Sequence, residues 1–446
     1  MRDPQSIDKQ YLWHPFTQMQ DWIENEQLVI EKGKGTYLYD TKGKRYLDGI
    51  SSLWVTVHGH HRKELNRAIA KQLNKIAHTT LLGLANLPSI ELAEKLIKIA
   101  PTGLKKVFYS DNGSTAVEIA LKIAFQYQQL KGYKGKQSFL TLVNAYHGDT
   151  IGSVSVGGMD LFHKIFKPLL FNTFKNPAPY CYRCPLGLDR KNCKLACINC
   201  VERILKKHNS EIAAMIVEPM IQAAAGMLTM PKGYLRSIRQ LCTKYNVLLI
   251  CDEVATGFGR TGKMFACEQE AISPDLMCVA KGITGGYLPL AATLTTQNIF
   301  DAFLGESREQ KTFFHGHTYT GNPLACAAAI ANLALFKKEK TLNNLKFKIN
   351  LLKKELKSFY HLKSVGEIRQ CGFMVGIELV KDNKTGEEFP NAERIGHRVI
   401  LEARKRGAIL RPLGDVIVLL PPLSINQKQL KELLSVTYES IKTVTS

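Results

Sequence analysis

Val247-Leu248-Leu249-Ile250-Cys251 is an unbroken apolar run that stops on two acids, Asp252 and Glu253. Its length and branched residues read as a strand. A second run, Leu276-Met277-Cys278-Val279-Ala280, stops on Lys281 about thirty residues later, roughly one strand-and-helix unit. Asp252 and Lys281 should therefore emerge on the same edge of one sheet. Working outward, Lys106 to Tyr109, Ser138 to Leu142 and Ala213 to Val217 are further strand candidates. Short apolar runs alternating with helical patterns over residues 61–335 argue for an α/β fold with a mainly parallel sheet. Ligands of open α/β sheets bind beyond the carboxyl ends of the strands, so the chemistry is expected where these runs end in polar residues.

The flanks read differently. Residues 1–60 hold a hairpin pattern, Gly35 to Tyr39 and Arg45 to Leu47 around the turn residues Asp40 to Gly43, and form an N-terminal segment expected to join a smaller domain. That smaller α+β domain, residues 336–446, is read from a helix at about Leu342 to Phe359, strands at Phe373 to Leu379 and Val416 to Leu420, and a last helix. The last helix carries Leu430, Leu433, Leu434, Tyr438 and Ile441 on one stripe. The longest apolar run, Leu324 to Phe336, contains Asn332 and falls short of the roughly 20 residues a membrane span needs, so it is expected to be a buried helix.

With 45% hydrophobic and 22% charged residues the 446-residue chain has the composition of a folded, water-soluble protein. The N-terminal residues 1–10 carry charges of both signs and no apolar stretch, so neither a secretory signal nor a membrane anchor is expected there, which points to the cytoplasm. A net charge of +21 raises nucleic-acid binding as an alternative. The lysines are dispersed along amphipathic helices, as in Leu351-Leu352-Lys353-Lys354-Glu355-Leu356-Lys357, so a solvated basic surface that attracts anionic small molecules is the preferred reading, with no nucleic acid and no membrane as partners. Of eleven cysteines, five fall within twenty residues: Cys181, Cys184, Cys193, Cys197 and Cys200. That spacing suits a zinc or iron–sulfur site, and equally a cysteine-bearing surface excursion between two strands.

Several strand ends carry chemistry. Ser110-Asp111-Asn112-Gly113-Ser114-Thr115 joins a strand to a helix with apolar positions at Val117, Leu121, Ala124 and Phe125, and free amides at such a helix start suit a phosphate. An ordinary capped Asn-Gly turn would have the same pattern. Asp252, at the end of an apolar strand, needs a cationic partner: a protonated pyridine nitrogen, or a structural arginine such as Arg260. Lys281, followed by Gly282 and Gly285-Gly286, sits where desolvation can free its amine to react. Tyr146 follows another strand and suits stacking on a planar cofactor, or a place in the core. Gly316-His317-Thr318 supplies a small donor group, and Arg411 a cation suited to a carboxylate.

Together these segments resemble the class III, fold-type I pyridoxal-phosphate aminotransferases over nearly the whole chain. The resemblance rests on Asp252-Glu253-Val254-Ala255-Thr256-Gly257-Phe258-Gly259-Arg260-Thr261-Gly262, the Lys281 segment and Gly321-Asn322-Pro323-Leu324-Ala325-Cys326. Trp13-His14-Pro15-Phe16, Trp54 with His58-Gly59-His60, and Asn144 to Thr150 are similar to the branch that serves biotin synthesis. The resemblance implies a large domain with a mainly parallel seven-stranded sheet, pyridoxal 5'-phosphate as cofactor, and a homodimer with shared active sites. It implies that Lys281 holds the cofactor and moves the proton between the substrate carbon and C4′. Asp252 pairs with the pyridinium, Tyr146 lies over the ring, and Gly113 and Ser114 bind the phosphate. Thr318, with His317, reaches that phosphate from the second subunit.

The resemblance further implies that Arg411, with Gly316 and Tyr146, takes the substrate 8-amino-7-oxononanoate. Phe16 and Leu53-Trp54 stand where members that use S-adenosylmethionine often have Tyr and two tryptophans, and are more like a lysine-using branch, so both amino donors stay open. Another class III transaminase, acting on an ω-amino acid, would keep every cofactor residue and change only the pocket.

Overall fold

A computed structural model describes residues 3–446. At its centre is a sheet of seven strands in the order Leu104–Ser110, Ala291–Thr296, Leu276–Val279, Leu248–Asp252, Ile212–Val217, Ser138–Leu142, Phe174–Asn176. Every neighbouring pair is parallel except the two made by Ala291–Thr296, which runs against the rest. The strand Leu248–Asp252 shows why the sequence reads as one apolar run. Leu249 and Cys251 face one buried cluster while Ile250 faces another, so both sides of the strand are covered. The five strand candidates are all present, and the seven-stranded sheet is as expected. Phe174–Asn176 and Ala291–Thr296 are additions, the first too short for a pattern and the second made largely of alanine and threonine.

The helix Gly113–Leu130 begins directly after the Leu104–Ser110 strand. Asn112 caps it by accepting from the Thr115 amide at 3.1 Å. Its apolar side, including Val117, Leu121 and Ala124, packs into the same cluster as Ile250 and Cys278. The apolar run near 324–336 is indeed a buried helix, Pro323–Lys338, with proline at its first position and Asn322 as cap. The polar Asn332 inside it donates from Nδ2 to the Gly282 and Ile283 carbonyls at 2.9 and 3.0 Å, which ties the helix to the turn after Lys281, while its buried Oδ1 has no partner among the described residues.

Beyond residue 340, four antiparallel strands, Val365–Cys371, Met374–Leu379, Val416–Leu419 and Arg411–Leu413, form a second sheet. The N-terminal strands Ile30–Lys34, Tyr37–Asp40 and Arg45–Asp48 form a third, closed by Ala408–Ile409 pairing parallel to Arg45–Asp48. The N-terminal segment is thus hydrogen-bonded to the C-terminal part of the chain. The last helix, Gln427–Thr445, buries Leu430, Leu433, Leu434 and Ile441 as its stripe requires. Among the described residues no helix is long and apolar enough to cross a membrane.

Candidate active site

The strand ends open on a cleft of about 460 Å³. Lys281, Asp252, Tyr146, Trp54, Gly113 and Ser114 all line it. Lys281 follows the strand Leu276–Val279 and turns sharply, with φ 45°. Its Nζ lies 5.3 Å from the centre of the Trp54 ring. Removal from water lowers the pKa of this ammonium, against the opposite pull of Asp252 and Glu218. Among the described residues it has neither a hydrogen bond nor an ion pair, which leaves the amine free to react.

Asp252 is not paired with Arg260. Its Oδ2 lies 2.7 Å from His147 Nδ1, both groups being buried, and its Oδ1 accepts from the Val254 amide at 3.0 Å. Arg260 is committed elsewhere: its guanidinium donates to Ser51 Oγ and to the Pro421 and Thr56 carbonyls, and burial draws its pKa down to about 9. The structure thus removes the structural arginine from the alternatives for Asp252.

At the helix start, the Gly113 and Ser114 amides have no partner among the described residues, since Asn112 takes only the Thr115 amide. A β-carbon at Gly113 would lie 2.5 Å from Val254 Cγ1, so glycine is required there. Tyr146 is half-buried and donates its hydroxyl to Asp149 at 2.6 Å, while burial raises its phenol pKa. Unspent amides, a buried carboxylate, an unbound lysine and an aromatic wall in one cleft fit a planar, phosphate-bearing pyridine cofactor.

Other expected residues sit less simply. Arg411 is half-buried near Tyr146, has no ion pair among the described residues, and burial lowers its pKa. His317 Nδ1 is 2.8 Å from Asp111 Oδ2, beside the phosphate turn. Gly316 and Thr318 are exposed and do not line the cleft of a single chain. Phe16 and Leu53 are also exposed; Phe16 meets Phe162 edge-on at 5.4 Å, and Phe162 in turn meets Tyr146 at 6.4 Å.

The cysteines need a correction. Cys181, Cys184, Cys193 and Cys197 line one small depression, yet among the described residues no three histidine, cysteine or acidic side chains, Cys200 included, are arranged to hold a metal ion. All five are free thiols, and burial raises Cys197 to about 11. The expected zinc or iron–sulfur site is therefore unsupported, and the five cysteines lie on an excursion between the strands Phe174–Asn176 and Ile212–Val217.

Sequence reasoning passed over two groups. His147 is one; the other is Glu218, which follows the strand Ile212–Val217 and accepts from the Tyr146 amide at 3.1 Å and the Ala223 amide at 2.9 Å. The signal was the same as for Asp252, a polar residue ending an apolar strand. Burial, reinforced by Asp252 and opposed by His147, raises Glu218 to about 7. Its folded pKa lies above the unfolded one, so the stability it lends is full below about pH 4.5 and is lost as pH rises through about 7. The cofactor-free chain should melt lower near pH 8 than near pH 5 through this group. Thermal melting of Glu218→Gln, which cannot ionise, should show a flatter pH dependence; an unchanged slope would rule Glu218 out as its source.

The sequence profile of the class III aminotransferases matches residues 19–441. The chain is 53% identical to the adenosylmethionine-8-amino-7-oxononanoate aminotransferase of Geobacter sulfurreducens, over 98% of this chain and 97% of that one. It is 55% identical to the enzyme of the same name from Aquifex aeolicus, over 99% and 98%. The crystal structure of the Methanocaldococcus jannaschii enzyme of that name superposes with a TM-score of 0.94 at 48% identity, covering 98% of each chain. An omega transaminase from Pseudomonas jessenii superposes with a TM-score of 0.95 at 32% identity, covering 99% of each.

Proposed function

The chain belongs to the class III aminotransferases, a pyridoxal-phosphate-dependent family, and on that premise we propose that it transfers an amino group to the C7 ketone of 8-amino-7-oxononanoate, giving 7,8-diaminononanoate for biotin synthesis. The observation that carries this reading is whole-length identity of 53% and 55% to two enzymes named for that reaction. Pyridoxal phosphate, when bound, supplies an electron sink for the charge left when the amine-bearing carbon loses its proton. Lys281 would hold the cofactor through Nζ, and the same amine would take up and return that proton. Asp252, oriented by His147, would pair with the pyridinium nitrogen. The Gly113 and Ser114 amides would take the phosphate, Tyr146 would wall the ring, and Arg411 would take the substrate carboxylate.

The reading includes a cytoplasmic homodimer in which Thr318 and His317 complete the partner's phosphate site. The apolar side chains of Leu82, Leu87, Phe314 and Tyr319 support it, since all are exposed on adjoining segments. The two segments touch where His78 meets the Tyr319 ring at 4.8 Å. Large apolar side chains exposed on adjoining segments suit an interface. Light scattering should give twice the 50.0 kDa chain mass.

The names of the relatives support S-adenosylmethionine as donor. Phe16 and Leu53 favour lysine as the second reading. Supplying 8-amino-7-oxononanoate with each donor in turn and measuring the diamine decides between them. If neither donor yields product, an ω-amino-acid transaminase replaces the proposal.

A further inference from the structure

The turn Ser51–Trp54, which brings Trp54 to the cleft, has an unusual backbone. Ser51, Ser52 and Trp54 adopt φ of 53°, 61° and 64°, the left-handed region that side chains with a β-carbon avoid. Such a turn persists only where its surroundings over-determine it, and strain of this sort collects at functional sites. Asp48 supplies much of the determination. It is fully buried at the end of the strand Arg45–Asp48. Its two oxygens accept the Ser52 amide at 2.9 and 2.8 Å, and Oδ1 also accepts the Ile50 amide at 3.3 Å. His60 holds the carboxylate from the other side, its Nε2 lying 2.9 Å from Oδ2. A second hold comes from Ser51 Oγ, which donates to the Leu420 carbonyl at 2.7 Å and receives Arg260.

Trp54 is what the turn delivers. It is 6% exposed and its ring lies over Lys281 Nζ. Its indole N–H is buried and has no acceptor among the described residues, in a side chain that lines the cleft. A buried donor left unspent is costly unless something bound takes it up. The chain just after Trp54 also packs on the turn that follows Lys281, where a β-carbon on Gly286 would lie 3.0 Å from the Thr56 amide nitrogen. A shift of Ser51–Trp54 would therefore reach both the indole and the lysine.

We propose that the Asp48–His60 pair is a positioning device: it fixes the strained Ser51–Trp54 turn so that the Trp54 ring covers Lys281 and its N–H faces the bound substrate. The pair touches no reactant itself and acts through Trp54. It rests on the aminotransferase reading only in assigning Lys281 as the reacting amine.

The chain has three tryptophans, so Trp13→Phe with Trp22→Phe leaves Trp54 as the sole indole. In that background the emission of Trp54, and its quenching by added pyridoxal phosphate, report where the ring sits whatever the substrate turns out to be. Asp48→Asn and His60→Gln are expected to red-shift the emission, weaken the quenching, and lower kcat/KM by about tenfold or more, as misplacement in a cleft does. His60→Gln keeps the carboxylate and should fold even where Asp48→Asn does not. Melting temperatures that fall while emission, quenching and kcat/KM stay at parent values would show a mere structural brace and overturn the proposal. Emission that moves without any loss of kcat/KM would overturn it as well. A parent protein that binds no pyridoxal phosphate at all would instead count against the aminotransferase reading, and the emission shift would still locate the ring.

Discussion

Lys281→Ala is expected to abolish turnover, with kcat falling by at least about four orders of magnitude, the upper end of what a positioned proton carrier supplies. The loss has two parts, since the same side chain holds the cofactor and moves the proton. Added methylamine should restore a small fraction of the rate by standing in for the amine, which would separate proton transfer from binding. The variant should not be less stable. In the cofactor-free chain the Lys281 ammonium has no hydrogen bond or ion pair among the described residues and is held in a cleft that disfavours its charge. Removing it should leave the melting temperature unchanged or slightly raised, as for other residues whose placement serves activity at the expense of stability. The measurements are single-turnover kinetics, the visible absorption band of the loaded protein and thermal melting. A variant that keeps the band and a tenth of the rate would remove Lys281 from its assigned role.

Asp252→Asn should produce the second largest effect. The amide keeps the shape and can still accept from the Val254 N–H through Oδ1, but it replaces the oxygen facing His147 Nδ1 at 2.7 Å with a neutral group. Removing a preorganised group that stabilises charge in a cleft costs about two to three orders of magnitude in rate. The loss should fall on kcat rather than on cofactor affinity, because the Gly113 and Ser114 amides are untouched. Stopped-flow rates for the amine half-reaction, compared with cofactor dissociation constants, check this. A uniform loss of affinity with kcat preserved would mean that Asp252 anchors the cofactor and has no share in the chemistry.

The core of the fold was legible because its signals are local. Short apolar runs located five of the seven strands, and the polar residues that end several of them pointed to the edge where the cleft lies. The same rule identified Asp252 and Lys281 and would have identified Glu218, which follows Ile212–Val217 in the same way. Asn112-Gly113-Ser114 was readable as a helix start from its cap alone. Ala291–Thr296 escaped because small and hydroxylated residues carry little strand signal, even though the strand separates Leu104–Ser110 from Leu276–Val279. The antiparallel direction of that strand had no local mark at all.

By itself, then, the sequence determined five of the seven central strands, the polar residues that end several of them, and, through motif resemblance, the family. Hydrogen-bonding periodicity, caps and turn chemistry act over a few residues and are written in consecutive positions. Only the tertiary structure decided which charges meet. His147 and Asp252 are 105 residues apart and follow strands that are not sheet neighbours, with Ile212–Val217 between them. Arg260, eight residues from Asp252, was the local candidate, yet it is spent on Ser51, Thr56 and Pro421. The Asp48–His60 hold on a strained turn was equally invisible, since strain is a property of the closed fold. Pairing buried polar groups depends on the order of strands in the sheet and on what each helix covers, and no local pattern encodes that order.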